Sequence, residues 1–140
     1  EGIGEVLTPL PDLPACYIVL GKPQEGMSTA EAYHALDAQK EIRHPDIDGQ
    51  IQAIRAGDLH EMCRLEGNVL ESVTVPLHPE IGSIKEMMLE GGAIGAMMSG
   101  SGPTVFGIFA DAETAERARQ QICENAACMV KQSFVTRFVD

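Results

Sequence analysis

The order of apolar patterns in this 140-residue chain predicts an α+β fold. The expected form is a ferredoxin-like four-stranded antiparallel sheet with helices on one face and a first crossover expanded by several helices. Three observations carry it. Two apolar runs, 93–98 and 104–110, flank Ser99-Gly-Ser-Gly-Pro103 and read as strand, tight turn, strand. A β-branched run at 15–20 precedes them, separated by a long stretch of helical periodicity. A polar helix and an alternating terminal run follow, so two helical crossovers frame a hairpin, as a split βαβ sheet requires.

Each element has its own local reason. Residues 1–14 read as a linker or edge segment, because Thr8-Pro-Leu-Pro-Asp-Leu-Pro14 is too proline-dense for a helix or a central strand. The chain opens on Glu1 without a capped element, which reads as a piece of something longer. The run 15–20, closed by Gly21-Lys-Pro23, is a buried strand. Ser28 or Thr29 caps a helix over 30–36, with Glu31 placed as in a capping box. An N-cap is the ordinary reading of those hydroxyls; a helix start facing a polar or anionic ligand is the functional one. Residues 40–45 are a connector. Ile47, Ile51 and Ile54 share the face of a helix that ends at Gly57. Asp58 caps a helix carrying Leu59, Met62, Cys63, Leu65, Glu66, Val69 and Leu70, with Gly67 inside it. His78-Pro79 opens another, with Ile81, Ile84, Met87 and Met88 inward until Gly91-Gly92 stop it. Residues 112–123 form a charged helix with Ala115, Ala118 and Ile122 inside, and 128–139 form the last strand.

Bulk chemistry removes several function classes. Ten basic against twenty-one acidic side chains give a formal charge of −11, which repels nucleic acid and anionic membranes. No apolar run approaches the roughly 20 residues of a membrane span, and no signal peptide or lipidation motif is present. A cytoplasmic location is expected, or a plastid one for a plant parent. Cys16, Cys63, Cys123 and Cys128 show no C-x-x-C or zinc-type spacing and read as free thiols. His34, His44, His60 and His78 are scattered singly, so no metal site is expected.

The glycine-rich loop is the one candidate site. No residue from 91 to 110 is ionisable, so the loop can offer only N–H groups and hydroxyls, which suit an oxyanion or phosphate. Residues 95–101 spell G-x-x-x-x-G-S, but Ser101 replaces the lysine of a P-loop and a strand follows where a helix should. Val105 breaks the dinucleotide fingerprint, and neither Ser99 nor Ser101 stands in G-x-S-x-G. Acidic residues such as Glu61, Glu86, Glu113 and Glu116 fall on outer helix faces.

At 92–107 the sequence resembles the third glycine-rich motif of the GHMP small-molecule kinases, and within them the kinases of 4-diphosphocytidyl-2-C-methyl-D-erythritol. The stretches 1–7, 26–33 and 66–71 agree with it. The resemblance implies that residues 1–140 are one domain, the C-terminal, substrate-side half of a two-domain kinase. The family's catalytic aspartate and lysine and its P-x-G-x-G-L-G-x-S-S loop belong to the N-terminal half and do not occur here. It implies ATP and Mg²⁺ as cofactors held mainly by that half, and no catalytic residue in this chain. Ser99, Gly100, Ser101 and Gly102 then line the phosphate-facing cleft, and Thr29 contacts the acceptor. The implied partners are a small-molecule substrate and the chain's own N-terminal kinase domain; alone, the chain is expected to be inactive and to self-associate. A stand-alone ferredoxin-like binding or regulatory module, and a GHMP kinase for homoserine or mevalonate, stand as alternatives.

Overall fold

The computed structural model describes residues 5–138 apart from 27, 40 and 43. Its sheet is built around β1 (Tyr17–Pro23), which pairs antiparallel with β3 (Val105–Phe109) on one side and β4 (Val130–Thr136) on the other. β2 (Gly95–Met98) adds antiparallel to β3, giving the order β2-β3-β1-β4 of a ferredoxin-like sheet. The α+β fold read from the sequence therefore stands.

Between β1 and β2 the chain forms α1 (Thr29–Asp37), α2 (Ile47–Ala56), α3 (Leu59–Leu65), α4 (Glu71–Leu77) and α5 (Pro79–Glu90); α6 (Ala112–Glu124) joins β3 to β4. Side-chain caps start several of them. Ser28 and Glu31 complete the capping box of α1, and Asp46, Asp58 and Asp111 accept from the first-turn N–H groups of α2, α3 and α6. Such caps contribute about 1 kcal/mol each.

The pleat sorts the sheet residues by face. Val19, Ala96, Met98, Val105 and Phe109 meet Ile81, Ile84 and Met88 of α5 and Ala115, Ala118 and Ile122 of α6 in the main core. Fully burying a side chain of isoleucine or methionine size is worth roughly 1.5–3 kcal/mol. A smaller cluster forms on the other side, where Met62 and Cys63 of α3 and Ala53 of α2 reach Cys16 and Ile108. Gly95 makes this possible, since a Cβ there would lie 2.6 Å from the Cys63 Cβ. The α2–α3 hairpin thus wraps the β2 edge, while α5 and α6 form the helical layer.

Three expectations are corrected. The helix over Leu59 to Leu70 ends at Leu65: Glu66 is extended (φ −63°, ψ 148°), and the Asn68 side chain caps the Leu70 N–H instead of letting the helix run on. A separate helix, α4, follows; its Val73, Val75 and Pro76 hid it from a propensity reading. The expanded crossover therefore has five helices among the described residues, one more than the four outlined by the sequence. The final strand starts at Val130 after a 3₁₀ turn at Ala126–Cys128, and the expected end at residue 139, like the opening 1–4 used for the resemblance, lies outside the described residues.

Candidate functional site

Beyond Met98 the chain turns within five residues. The Ser99 N–H donates to the Thr104 carbonyl at 2.8 Å and the Gly102 N–H to the Ser99 carbonyl at 3.0 Å. Gly100 (φ +57°) and Gly102 (φ +86°) take left-handed conformations that favour glycine. Their surroundings differ. A Cβ at Gly102 would meet the Met98 Sδ at 2.7 Å, whereas one at Gly100 would meet nothing within 4 Å. Gly102 packs inward and Gly100 faces outward. Gly102 shapes the turn, because its N–H is used internally. Gly100 and Ser101 have N–H groups without a protein acceptor among the described residues.

The start of α1 lies against this loop. Gly26 abuts Pro103, and the Thr29 Oγ1 lies 2.9 Å from the Ser101 Oγ, 72 residues away in sequence. Ser28, not Thr29, caps the helix, donating its N–H to Glu31 and accepting the Glu31 N–H. That division of labour leaves the Thr29 hydroxyl for the loop. The structure thus brings together two of the residues singled out in the sequence for separate reasons.

A second segment grips the loop from the other side. The Asn68 Nδ2 donates to the Met98 carbonyl at 2.8 Å and to the Gly100 carbonyl at 2.7 Å. The Glu71 carboxylate accepts the Met98 N–H at 2.7 Å and pairs with Lys85 at 2.6 Å.

The family model for the C-terminal part of GHMP kinases matches residues 50–128, more than half of the chain, including the glycine loop and Asn68. The chain belongs to the GHMP kinases. A 4-diphosphocytidyl-2-C-methyl-D-erythritol kinase of Lachnoclostridium phytofermentans is 49% identical over 140 residues, all of this chain and 47% of that protein. The chain therefore spans about half the length of the curated relatives it matches. Among solved structures, a 4-(cytidine 5'-diphospho)-2C-methyl-D-erythritol kinase superposes with a TM-score of 0.71 at 26% identity, covering 97% of this chain and 47% of that one. Homoserine kinase of Cytophaga hutchinsonii superposes with a TM-score of 0.70 at 23% identity over 96% of this chain and 44% of its own, a likeness of fold. Thr29 lies outside the family match, so its place beside the GHMP loop rests on geometry alone.

Glu66 and Cys63 pack against Gly95 at the start of β2, the strand that leads into the loop. Burial pushes the Glu66 carboxyl up to about 7, with Glu71 adding to the rise and Lys85 opposing it. Glu66 lines an apolar groove of about 540 Å³ on the sheet face away from α5 and α6, together with Met97, Phe106, Ile108, Ser99 and Thr104. Burial also pushes the neighbouring Cys63 thiol up to about 12, so it stays protonated and is no nucleophile at neutral pH. Ser99 therefore faces the groove, while Ser101 and Thr29 form the hydroxyl pair.

In the sequence Asn68 lies inside the run 59–70 that reads as one helix and Glu71 lies just past its end, so neither stands out as a site residue. One signal was available: Gly67-Asn68 is a poor helical dipeptide and a good side-chain-to-backbone bonding pair.

Proposed function

We propose that the intact protein is an ATP-dependent kinase that transfers the γ-phosphoryl group to a hydroxyl of 4-diphosphocytidyl-2-C-methyl-D-erythritol in non-mevalonate isoprenoid synthesis. In this reading residues 1–140 are its C-terminal, substrate-side domain and residues 1–14 the linker from an N-terminal, ATP-binding half. The observation that carries it is the neutral donor surface formed by Gly100, Ser101 and Thr29. The names of relatives 49% and 57% identical to this chain support the choice of substrate.

Phosphoryl transfer asks a protein mainly for positioning and for stabilisation of negative oxygens. Two N–H groups without protein acceptors and two hydroxyls do that without introducing a charge. Each hydroxyl is one donor, so after one is spent in the Thr29–Ser101 bond, one O–H remains for a ligand oxygen. Ser99, Gly100, Ser101 and Gly102 are assigned to the cleft wall and Thr29 to the acceptor.

No loop side chain can take the proton of the attacking hydroxyl, so that task falls to the N-terminal half. Among the described residues no group of three or more His, Cys, Asp or Glu could hold a metal ion. Mg²⁺ is assigned with ATP to the N-terminal half. No helix among them is long and apolar enough to cross a membrane. Free thiols at Cys16, Cys63, Cys123 and Cys128 fit a reducing cytoplasm.

The test is acceptor profiling of the intact protein with ATP. Phosphorylation of the cytidyl-diphospho alcohol at least about 100-fold more efficient in kcat/KM than that of homoserine or mevalonate is expected. Preference for either of those two assigns the chain to a different GHMP kinase. No transfer to any alcohol leaves a ferredoxin-like binding module.

A further inference from the structure

We infer that Asn68 is a positioning residue that sets the direction of the Ser101 N–H, and that Glu71 and Lys85 hold it in register. The geometry stands by itself; the kinetic consequence rests on the kinase reading. The Asn68 amide is fully engaged. Its Oδ1 accepts the Leu70 N–H at 3.0 Å, and its Nδ2 donates to the Met98 and Gly100 carbonyls. These partners fix its orientation, since turning the amide over would set its oxygen against two carbonyl oxygens.

The consequence follows from peptide planarity. The 100–101 peptide is trans, so with the Gly100 carbonyl held on Asn68 the Ser101 N–H must point the opposite way. It is directed away from the clamp and, among the described residues, has no protein acceptor. A loop whose Gly100 and Gly102 both occupy left-handed conformations needs such a hold, because glycine leaves neighbouring peptide planes free to rotate.

The support behind the clamp is equally specific. β2 is an edge strand, and side chains from the 68–71 segment bond both polar groups of Met98: Asn68 the carbonyl and Glu71 the N–H. Lys85 of α5 neutralises Glu71 through a pair with side chains 32% and 18% exposed, partly withdrawn from water. Helices α4 and α5 therefore set the loop, not the sheet alone.

The test compares Asn68→Asp and Lys85→Met with wild type in the intact protein, below the melting midpoint of each. Aspartate keeps the shape but presents oxygen to the two carbonyls. We expect kcat and kcat/KM to fall together by about 100-fold, with KM for ATP and acceptor within about threefold. The ratio of variant to wild-type turnover should rise as pH falls, because a protonated carboxyl regains one O–H donor. Lys85→Met, which leaves the three Asn68 side-chain bonds in place, should cost about tenfold or less. With the intact protein isotopically labelled at glycine and serine nitrogens, the Gly100 and Ser101 amide resonances should move in Asn68→Asp. Unmoved resonances, or Asn68→Asp turnover within about threefold of wild type at every pH, would overturn the inference. A wild-type protein with no kinase activity would sink the functional reading instead, and the amide resonances would then decide the clamp.

Discussion

The hydroxyls of Thr29 and Ser101 lie 2.9 Å apart, joining the first turn of α1 to the glycine loop across 72 residues. Ser28 already satisfies the helix start, so this bond is not needed for capping. Thr29 is exposed and the loop beside it is neutral. The pair is polar, neutral and near the surface.

A double-mutant cycle separates ligand contact from scaffolding. Thr29→Val, at an exposed position, and Ser101→Ala, at a half-buried one whose hydroxyl bonds the exposed Thr29 hydroxyl, should each change unfolding free energy by no more than about 1 kcal/mol. Each should lower kcat/KM of the intact kinase by about tenfold or more, non-additively in the double variant. Large stability losses with unchanged kinetics would make the bond a strut.

The two left-handed glycines should respond unequally. Gly100→Ala carries only the backbone cost, about 1–2 kcal/mol. Gly102→Ala adds a clash with Met98, a side chain buried to 0% exposure, for a further 1–3 kcal/mol or so. Denaturant titration of both variants measures this. Equal losses would mean that Met98 yields freely.

Glu66 predicts a pH dependence of stability. Its folded pKa of about 7 lies above its ordinary 4.5, so the folded chain holds more protons than the unfolded one between those values. Stability from this group is therefore greatest at low pH and is lost as pH rises through that window. Glu66→Gln removes the titration. The variant's melting temperature relative to wild type should climb from pH 5 to pH 8, and a constant difference would refute the assignment.

The sheet face bearing the groove predicts association of the isolated domain. Phe134 (58% exposed) and Phe138 (52%) stand open, and Ile18, Leu20 and Phe106 line the groove beside Phe138. Sedimentation should show concentration-dependent self-association that Phe134→Lys weakens. A strict monomer at high concentration would contradict this.

Much of the fold was legible because strong local signals coincided. The apolar runs on either side of Ser99–Pro103, the cap at Asp58 and the Gly91-Gly92 stop each fixed an element from neighbouring residues alone, whereas the Asp111 cap of α6 appears only in the structure. The run 59–70 misled because Asn68 takes its partners from Met98 and Gly100, some 30 residues away, and tertiary hydrogen bonds leave little trace in local periodicity. The same holds for the site. The chemistry of the glycine loop was visible from its composition. Which hydroxyl of Ser28 and Thr29 caps the helix and which meets Ser101 depends on a partner 72 residues away, and no neighbouring residue reports it.

The central claim is that this chain supplies a neutral, donor-lined wall to a phosphoryl-transfer cleft and none of the groups that activate the acceptor. The most direct measurement is ATP-dependent phosphorylation of 4-diphosphocytidyl-2-C-methyl-D-erythritol by the 140-residue chain alone and by the same chain joined to its N-terminal half. The chain alone should show no turnover above background, and the joined protein full turnover. Turnover by the isolated chain comparable to that of the joined protein would contradict it.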